Sequence, residues 1–378
     1  MRSTGNSARK LVGLKKILVF RIGHLGDTIV ALPAFWALRD AFTNANISLL
    51  SNYDPDNPDY VTGRNVLPDN GLFDGWLTYP SSIGSMRTLY PRLKLLAKIR
   101  REKFDAVVYL MTRNRTPRQI ARDVRFFRLA GINSIFGVDN LKRNLFVSPI
   151  PVPTPEVTSE ADFLIECLEA DGVPVTNRTH DLALTDTEKS FAEKWLSNNV
   201  DENFGPRVAV APGSKWESKV WSEERFAAVI SKLIDRFRIY PIVFGDAGDR
   251  EAGNRLLRKW GTGVNAAGEL TVRQSAALLE RCDLYVGNDT GVMHLAGAVG
   301  TPCVAVFAAV DWIGRWKPFG ESNRLFRKHV ECEGCHSPVC FNQHKCLDLV
   351  SVDEVYEACA EVLVGTAQIG ASSPAIVM

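Results

Sequence analysis

Four residues in one short stretch have the types and spacing to bind a phosphorylated ligand. Asp289, Thr290, Gly291 and His294 lie inside "YVGNDTGVMHLAGAVGTPCVAVF", where a strand pattern gives way to a helix pattern. Gly291 removes side-chain bulk where successive N–H groups could face an anion, and the helix dipole adds attraction. Asp289 would cap the helix, orient the loop or accept ligand hydroxyls, and His294 would reach the same ligand. Taken alone, His294 fits a half-buried histidine with ordinary partners equally well.

A polar turn near the N-terminus, "GHLGD", follows the strand pattern "KKILVFRI" and precedes a helix pattern. Gly23 and Gly26 let the backbone turn sharply and approach a ligand closely. Asp27 then lies at or near a helix N-terminus, and two interpretations remain open. It caps the helix, or it removes a proton from an acceptor hydroxyl as a general base. The GxxGD spacing lacks the third glycine of a dinucleotide-binding GxGxxG turn.

A third polar stretch, "APGSKWESKVWSEERF", follows the strand pattern "RVAVA". Backbone N–H groups around Gly213, the hydroxyl of Ser214 and the ammonium of Lys219 suit a phosphate or diphosphate. A capped surface loop with solvated lysines is the alternative. The GxxxxGK spacing of a Walker A loop is missing, which argues against ordinary ATP hydrolysis.

Carboxylates follow another strand pattern, "IYPIVF", in the segment "GDAGDRE". Asp246, Asp249 and Glu251 would lie at the end of that strand, where carboxylates commonly hold ribose hydroxyls. Ordinary turn and cap chemistry explains the same residues equally well.

Arginines recur at helical spacing in "RNRTPRQIARDVRFFR", which brings Arg115, Arg118, Arg122 and Arg125 to one face. This face is either solvated or contacts an anionic acceptor or a membrane surface.

Four of the eight cysteines are clustered in "CEGCHSPVCFNQHKC", namely Cys332, Cys335, Cys340 and Cys346. The cluster predicts a metal site, local disulfides or a reduced surface loop. Ordinary zinc ribbons separate two close cysteine pairs by a longer loop, and only the first pair here has CxxC spacing.

Composition limits the class of protein. The chain has 378 residues, which favours two domains. Its 45 basic and 43 acidic residues give a net charge of +2, so there is no global reason to expect a nucleic-acid partner. No apolar run approaches the roughly 18 to 20 residues that span a bilayer, and the N-terminus lacks the apolar centre of a signal peptide. We therefore expect a cytoplasmic protein.

Strand and helix patterns alternate along the chain, which predicts an α/β fold with parallel sheets. The first series contains strand patterns near Ile47, at 106–110 and at 134–138, with helices at about 89–101 and 117–130. A second series begins at "RVAVA". We expect domains at 1–180 and 181–378 with a cleft between them, and ligands at the carboxyl ends of the strands. The final helix, at about 352–365, is expected to pack back on the N-terminal domain.

Together these motifs resemble glycosyltransferase family 9, the heptosyltransferase family of lipopolysaccharide assembly. The resemblance rests on "KKILVFRIGHLGDTIVALPAFWALR", on "VAVAPGSKWESKVWSEERFAAVI" and on the stretch from Tyr285 to Phe307. "WKPFG" and the cysteine-rich segment are also similar. The order of the motifs covers most of the chain, apart from much of the part between about residues 52 and 200.

The resemblance implies a GT-B fold of two Rossmann-like domains, with the acceptor on the first and a nucleotide sugar on the second. It implies inversion at the anomeric carbon, with no metal and no cofactor. Asp27 matches the family's base, and Gly26 with Arg115, Arg118 and Arg122 is assigned to the acceptor side. The donor residues it implies are Ser214, Lys219, Asp249, Asp289, Thr290, Gly291 and His294, of which Asp249 replaces a more usual glutamate.

The resulting hypothesis is a transferase that moves heptose from ADP-heptose to an anionic lipopolysaccharide or related glycan acceptor. It would act in the cytoplasm, or in peripheral contact with the cytoplasmic face of the inner membrane. Two alternatives remain: another GT-B nucleotide-sugar enzyme such as an epimerase, and a nonenzymatic sugar-nucleotide-binding protein.

Overall fold

The computed structural model describes residues 13–57, 60–81, 86–146, 150–201 and 203–371. Residues 1–12 lie outside these ranges, and they include most of the N-terminal segment that was considered as a signal peptide. The described chain falls into two compact units: unit 1 is drawn from Met1–Ser148 and Thr158–Leu182, and unit 2 from Pro149–Val157 and Ala183–Met378. Between the two parts of unit 1, the chain therefore contributes a short segment to unit 2.

Unit 1 contains five strands and seven helices among its described residues. The strands are β1 (Lys16–Phe20), β2 (Asn46–Tyr53), β3 (Gly75–Pro80), β4 (Ala106–Tyr109) and β5 (Ser134–Phe136). The helices are α1 (Leu25–Ile29), α2 (Leu32–Ala41), α3 (Gly63–Val66), α4 (Met86–Glu102), α5 (Pro117–Leu129), α6 (Val138–Arg143) and α7 (Glu160–Ala170).

The unit 1 sheet has the order β3-β2-β1-β4-β5, and every pair of neighbouring strands is parallel. β1 lies at its centre and is buried from Ile17 to Phe20, as its unbroken apolar run predicts. The edge strand β3 was not predicted, because Gly75 and Pro80 at its ends weaken the strand pattern. On one face of the sheet, apolar residues of α4 and α5 pack over β1 and β4.

Unit 2 contains six strands and seven α-helices among its described residues. The strands are β6 (Arg207–Ala211), β7 (Tyr240–Val243), β8 (Val264–Asn265), β9 (Leu284–Asn288), β10 (Cys303–Val306) and β11 (Arg324–Phe326). The helices are α8 (Asp186–Asn199), α9 (Glu223–Phe237), α10 (Arg250–Trp260), α11 (Val272–Leu279), α12 (Gly291–Ala298), α13 (Lys345–Asp348) and α14 (Val352–Ala371), with 3-10 turns at Glu217–Lys219 and Ala247–Asp249.

The unit 2 sheet is also parallel throughout, in the order β11-β10-β9-β6-β7-β8. This confirms the α/β class with parallel sheets in both halves. Because β9, β6 and β7 are neighbours, the segments that follow them leave from adjacent positions at one edge of the sheet. Three of the polar motifs seen in the sequence occupy those segments.

The final helix, α14, is the one expected to pack back on the N-terminal domain. Its buried residues Val355, Cys359 and Leu363 belong to the apolar core of unit 2. It packs against α9, β9 and β10, so that its apolar face is used within unit 2. Among the described residues, no helix combines the length and the apolar character needed to cross a membrane.

Candidate active site

Lys219 and Asp289 form the centre of the polar site in unit 2. The Lys219 ammonium lies 2.6 Å from Asp289 Oδ2, although 70 residues separate the two in sequence. Their side chains are only 15% and 8% exposed, respectively. Lys219 ends the 3-10 turn after β6, and its Nζ lies 5.3 Å from the centre of the Trp216 ring. The pair is therefore an ion pair largely withdrawn from water, where charge interactions are strong.

His294 lies on the other side of the same carboxylate. Its Nε2 is 4.0 Å from Asp289 Oδ1, and its ring packs edge-on against Trp316 at a centroid distance of 6.0 Å. The side chain is buried in the first turn of α12. Asp289 is thus placed between a lysine and a histidine.

The N-terminus of α12 has no side-chain cap. Thr290 is the N-cap residue, and neither its hydroxyl nor the Asp289 carboxylate accepts a capping hydrogen bond from the first helical turn. This is the arrangement in which the N–H groups of a first turn serve an external anion. Of the roles considered for Asp289, the structure shows the pairing with Lys219 and no cap.

Asn288, which was not among the predicted site residues, holds the loop after β6 in place. This fully buried amide donates from Nδ2 to Pro212 O at 2.7 Å and accepts from Trp221 N at its Oδ1, 3.1 Å away. A polar residue at the end of an otherwise apolar buried strand is the feature that could have marked it. Asn288 ties β9 to both ends of the loop that carries Ser214 and Lys219.

Asp249 lies directly over two glycines at the ends of β6 and β7. A Cβ atom at Gly213 would lie 1.8 Å from Asp249 Oδ1, and one at Gly245 would lie 2.4 Å from Oδ2. Burial raises the pKa of Asp249, the N–H of Asp246 that donates to it opposes the rise, and the charge of Asp246 adds to it. The two glycines therefore make room for the Asp249 carboxylate.

Two polar side chains complete this edge of the sheet. Ser214 Oγ accepts a weak hydrogen bond from Trp216 N at 3.4 Å, which leaves its hydroxyl proton for another acceptor. The Tyr285 hydroxyl lies 3.4 Å from Thr290 Oγ1, and burial raises the pKa of this tyrosine. Tyr285 was read from the sequence only as part of a strand.

A buried acid that the sequence did not indicate lies close to this group. Asp311 binds Arg315 and accepts a hydrogen bond from Trp316 Nε1 at 2.8 Å. Although burial raises the pKa of Asp311, the guanidinium of Arg315 and these donors hold it below its usual range. Asp311 thus anchors the tryptophan that packs on His294.

The cysteine-rich segment supports the turn that carries Lys219. Ser218 donates from N to Pro338 O and from Oγ to Ser337 O, while Glu217 Oε1 lies 2.9 Å from His344 Nε2. The four clustered cysteines are free thiols. Within the described ranges, no group of three or more His, Cys, Asp or Glu side chains could hold a metal ion.

In unit 1, Asp27 caps α1. Its Oδ2 accepts from His24 N at 2.8 Å, and its Oδ1 lies 3.6 Å from the buried guanidinium of Arg21. Gly23 has φ +150°, and a Cβ there would lie 2.3 Å from Asp27 Cβ, so this turn requires glycine. The cap interpretation is thus observed, and Asp27 remains partly exposed.

Tyr60 and Asn52 hold the same turn. The Tyr60 hydroxyl donates to Gly23 O at 2.7 Å, and Gly23 N donates to Asn52 Oδ1 at 2.8 Å. Burial raises the pKa of Tyr60, the hydrogen bond from Asn52 opposes this, and the charges of Asp27 and Asp54 add to it. Neither Tyr60 nor Asn52 was among the predicted site residues.

The arginines assigned to the acceptor side differ in their surroundings. Arg115 and Arg122 each bind Asp123 at 2.8 Å, and the Tyr109 hydroxyl donates to the same carboxylate. Arg118, in contrast, is exposed on α5. Two of the three arginines, Arg115 and Arg122, are therefore already paired with the buried carboxylate of Asp123.

Comparison with known proteins gives the family. Residues 126–346 match the model of "Glycosyltransferase family 9 (heptosyltransferase)". This range contains the unit 2 site residues but not Asp27. Over 133 residues the chain is 32% identical to lipopolysaccharide heptosyltransferase 2 of Escherichia coli strain K12. That alignment covers 33% of this chain and 37% of the relative, so the chain spans little more than a third of the relative's length.

Solved structures share the fold over nearly the whole chain. A family 9 glycosyltransferase from Veillonella parvula superposes with a TM-score of 0.71 at 20% identity, covering 95% of this chain and 100% of its own. The E. coli ADP-heptose lps heptosyltransferase II gives a TM-score of 0.66 at 21% identity, with 93% and 99% covered. These neighbours confirm the GT-B fold. The family model matches more than half of the residues of this chain, and the chain therefore belongs to glycosyltransferase family 9.

Proposed function

We propose that this protein transfers heptose from ADP-heptose to a lipopolysaccharide core or related anionic glycan, with inversion and without a metal. The observation that carries the proposal is the buried Lys219–Asp289 pair beside the uncapped N-terminus of α12. The names of the relatives supply the sugar and the nucleotide. The residues themselves argue for a diphosphate-bearing donor.

The leaving group is the first requirement of this reaction. As the bond between the anomeric carbon and the diphosphate breaks, negative charge builds up on the departing ADP. Lys219 and the N–H groups of α12 are positive groups fixed in place before the reaction, which is the arrangement that stabilises such charge. Asp289 keeps the ammonium of Lys219 in position until the diphosphate arrives, and His294 with Thr290 adds hydrogen-bonding groups on the other side.

Recognition of the nucleoside falls to Asp249. Its carboxylate lies at the ends of β6 and β7, against Gly213 and Gly245, where a ribose hydroxyl could donate to it. A hydrogen bond from the ribose would offset part of the cost of burying this acid. We therefore assign Asp249 to the ribose and Ser214 to the phosphate.

The second requirement is a base for the acceptor. We assign this role to Asp27, which would take the proton of the acceptor hydroxyl while the oxygen bonds to the anomeric carbon from the face opposite to ADP. Arg21 and the N–H of His24 hold its two oxygens in a fixed orientation.

The decisive experiment combines donor binding and turnover. Calorimetry should show that ADP binds more tightly than UDP or GDP, and ADP-heptose should be consumed only when heptose-deficient lipopolysaccharide is present. Consumption of a nucleotide sugar without acceptor would instead support an epimerase. Donor binding with no turnover on any acceptor would support a binding protein. A chelator should leave the rate unchanged.

A further inference from the structure

The outer face of α4 exposes three large apolar side chains within about one turn. Leu89, Tyr90 and Leu93 are 54%, 72% and 54% exposed. At this spacing they lie side by side, and they are on the opposite side of the helix from Leu95 and Ile99, which enter the core. Single exposed apolar residues are ordinary on a protein surface, whereas a contiguous group indicates a contact surface.

The same face of α4 is strongly basic. Lys94, Lys98, Arg100 and Arg101 are all exposed and follow the apolar group along the helix. The one acidic residue in α4, Glu102, is bound to Lys16 at 2.9 Å. Glu102 also lies near Arg101 and Lys98, so this single carboxylate offsets only part of the charge of the four cations.

Helix α5 extends this surface. It packs beside α4 on the same face of the sheet, and its outer side exposes Arg118, Arg125, Arg128 and Leu129. Its one acidic residue, Asp123, is buried and already paired with Arg115 and Arg122. Among the side chains that the structure describes, the outer faces of the two helices thus present seven cations and four large apolar residues.

We propose that this α4–α5 outer face binds the surface of an anionic lipid bilayer. Aliphatic and tyrosine side chains surrounded by lysine and arginine are the pattern of helices that lie in a membrane interface. The cations would meet lipid phosphates, while the leucines enter the boundary between headgroups and acyl chains. A nucleic acid would satisfy the cations but would leave Leu89 and Leu93 in water. This binding needs no transfer reaction, so it stands or fails independently of the proposed function.

Vesicle flotation of the full chain tests the proposal. The protein should float with vesicles of phosphatidylcholine plus phosphatidylglycerol, should float much less with phosphatidylcholine alone, and should be released by high salt. Each cation near an anionic surface contributes about fivefold to partitioning. Lys94→Glu with Lys98→Glu should therefore weaken partitioning roughly thirtyfold or more.

Two further variants make the test specific. Lys142→Glu with Arg143→Glu changes two exposed cations of α6 and alters the net charge equally, so it should keep most of the binding. Leu89→Ser with Leu93→Ser keeps every charge and should also weaken flotation. Thermal unfolding verifies that each variant is folded.

Three results would overturn the proposal. These are equal flotation with neutral and anionic vesicles, unchanged binding by both α4 variants, and no binding by the wild-type chain. A dimer in sedimentation that the leucine variant abolishes would assign the face to a second copy of the chain instead.

Discussion

Lys219 Nζ and Asp289 Oδ2 lie 2.6 Å apart because β6 and β9 are neighbours in the unit 2 sheet. The family resemblance assigns each residue to the donor, and in the structure the two bind each other. Removing one partner from a pair this buried leaves an uncompensated charge, which typically costs about 3 to 5 kcal/mol. Under the proposed function, a donor diphosphate would therefore compete with Asp289 for the ammonium of Lys219.

Replacing Lys219 with alanine should weaken ADP binding by about ten- to a hundredfold, since a charge-assisted hydrogen bond contributes about 1.5 to 3 kcal/mol. Adenosine, which has no diphosphate, should bind as before. Calorimetry with both ligands measures this. Lys215→Ala, an exposed lysine in the same loop, is the matched control and should change neither affinity. Equal losses for ADP and adenosine would contradict the phosphate role.

Asp249→Asn should stabilise the fold at neutral pH while weakening donor binding. Burial raises the pKa of Asp249, so the folded state binds a proton more tightly than the unfolded state does. The stability contributed by this residue is therefore present at low pH and is lost as pH rises through the folded pKa. Asparagine removes that loss and keeps an acceptor for Asp246 N. Thermal unfolding of the variant and the wild type at acidic and neutral pH measures this effect. A stability difference between the two proteins that does not increase with pH would contradict the prediction.

Asp27→Asn and Asp27→Ala should separate capping from catalysis. Asparagine retains an oxygen for His24 N, so we expect a stable protein that binds ADP normally but turns over about 10² to 10⁴ times more slowly. Alanine should lose the base and also about 0.5 to 2 kcal/mol of stability, because α1 loses its cap. The comparison uses kcat from ADP release and the free energy of unfolding. Near-normal turnover by the asparagine variant would exclude Asp27 as the base.

Asn288→Ala should be strongly destabilising, although it touches no predicted ligand. It would leave Trp221 N and Pro212 O unpaired in the core, at about 1 to 3 kcal/mol each. Asn288→Asp keeps the acceptor for Trp221 N, but it loses the donor to Pro212 O and places a buried carboxylate oxygen against that carbonyl. Denaturant unfolding should give both variants a lower free energy of unfolding than the wild type. ADP affinity should also decrease, because the loop after β6 becomes less ordered. Wild-type stability in the alanine variant would contradict this clamp.

The fold was largely predictable because both sheets are built from unbroken apolar runs separated by turn residues. The sequence patterns locate β1 and β4 to within two residues of their ends, whereas β3, β8 and β11 are edge strands without a clear pattern. The motifs of unit 2 were correctly expected at one edge of the sheet, since parallel strands end together.

The pairing of side chains was less predictable. The sequence shows that Lys219 and Asp289 are charged, but their contact depends on which strands are neighbours. Asp123 is visible in the sequence beside Arg122, yet only burial makes it the shared partner of two arginines. The partners of Asn288 were likewise not predictable, because its hydrogen bonds reach loop residues that are 67 and 76 positions away in sequence.

The segment before Thr158 has a consequence for dissecting this protein. Thr154 N donates to the buried carboxylate of Glu333, and Val157 N donates to Ile313 O, so these residues are part of unit 2. The chain then returns to unit 1 to form α7, which packs on α2. No single cut yields both units whole. A fragment that starts at Ala183 would lack the Thr154 N–H that donates to Glu333, so an isolated unit 2 should be made by joining residues 149–157 to it through a linker.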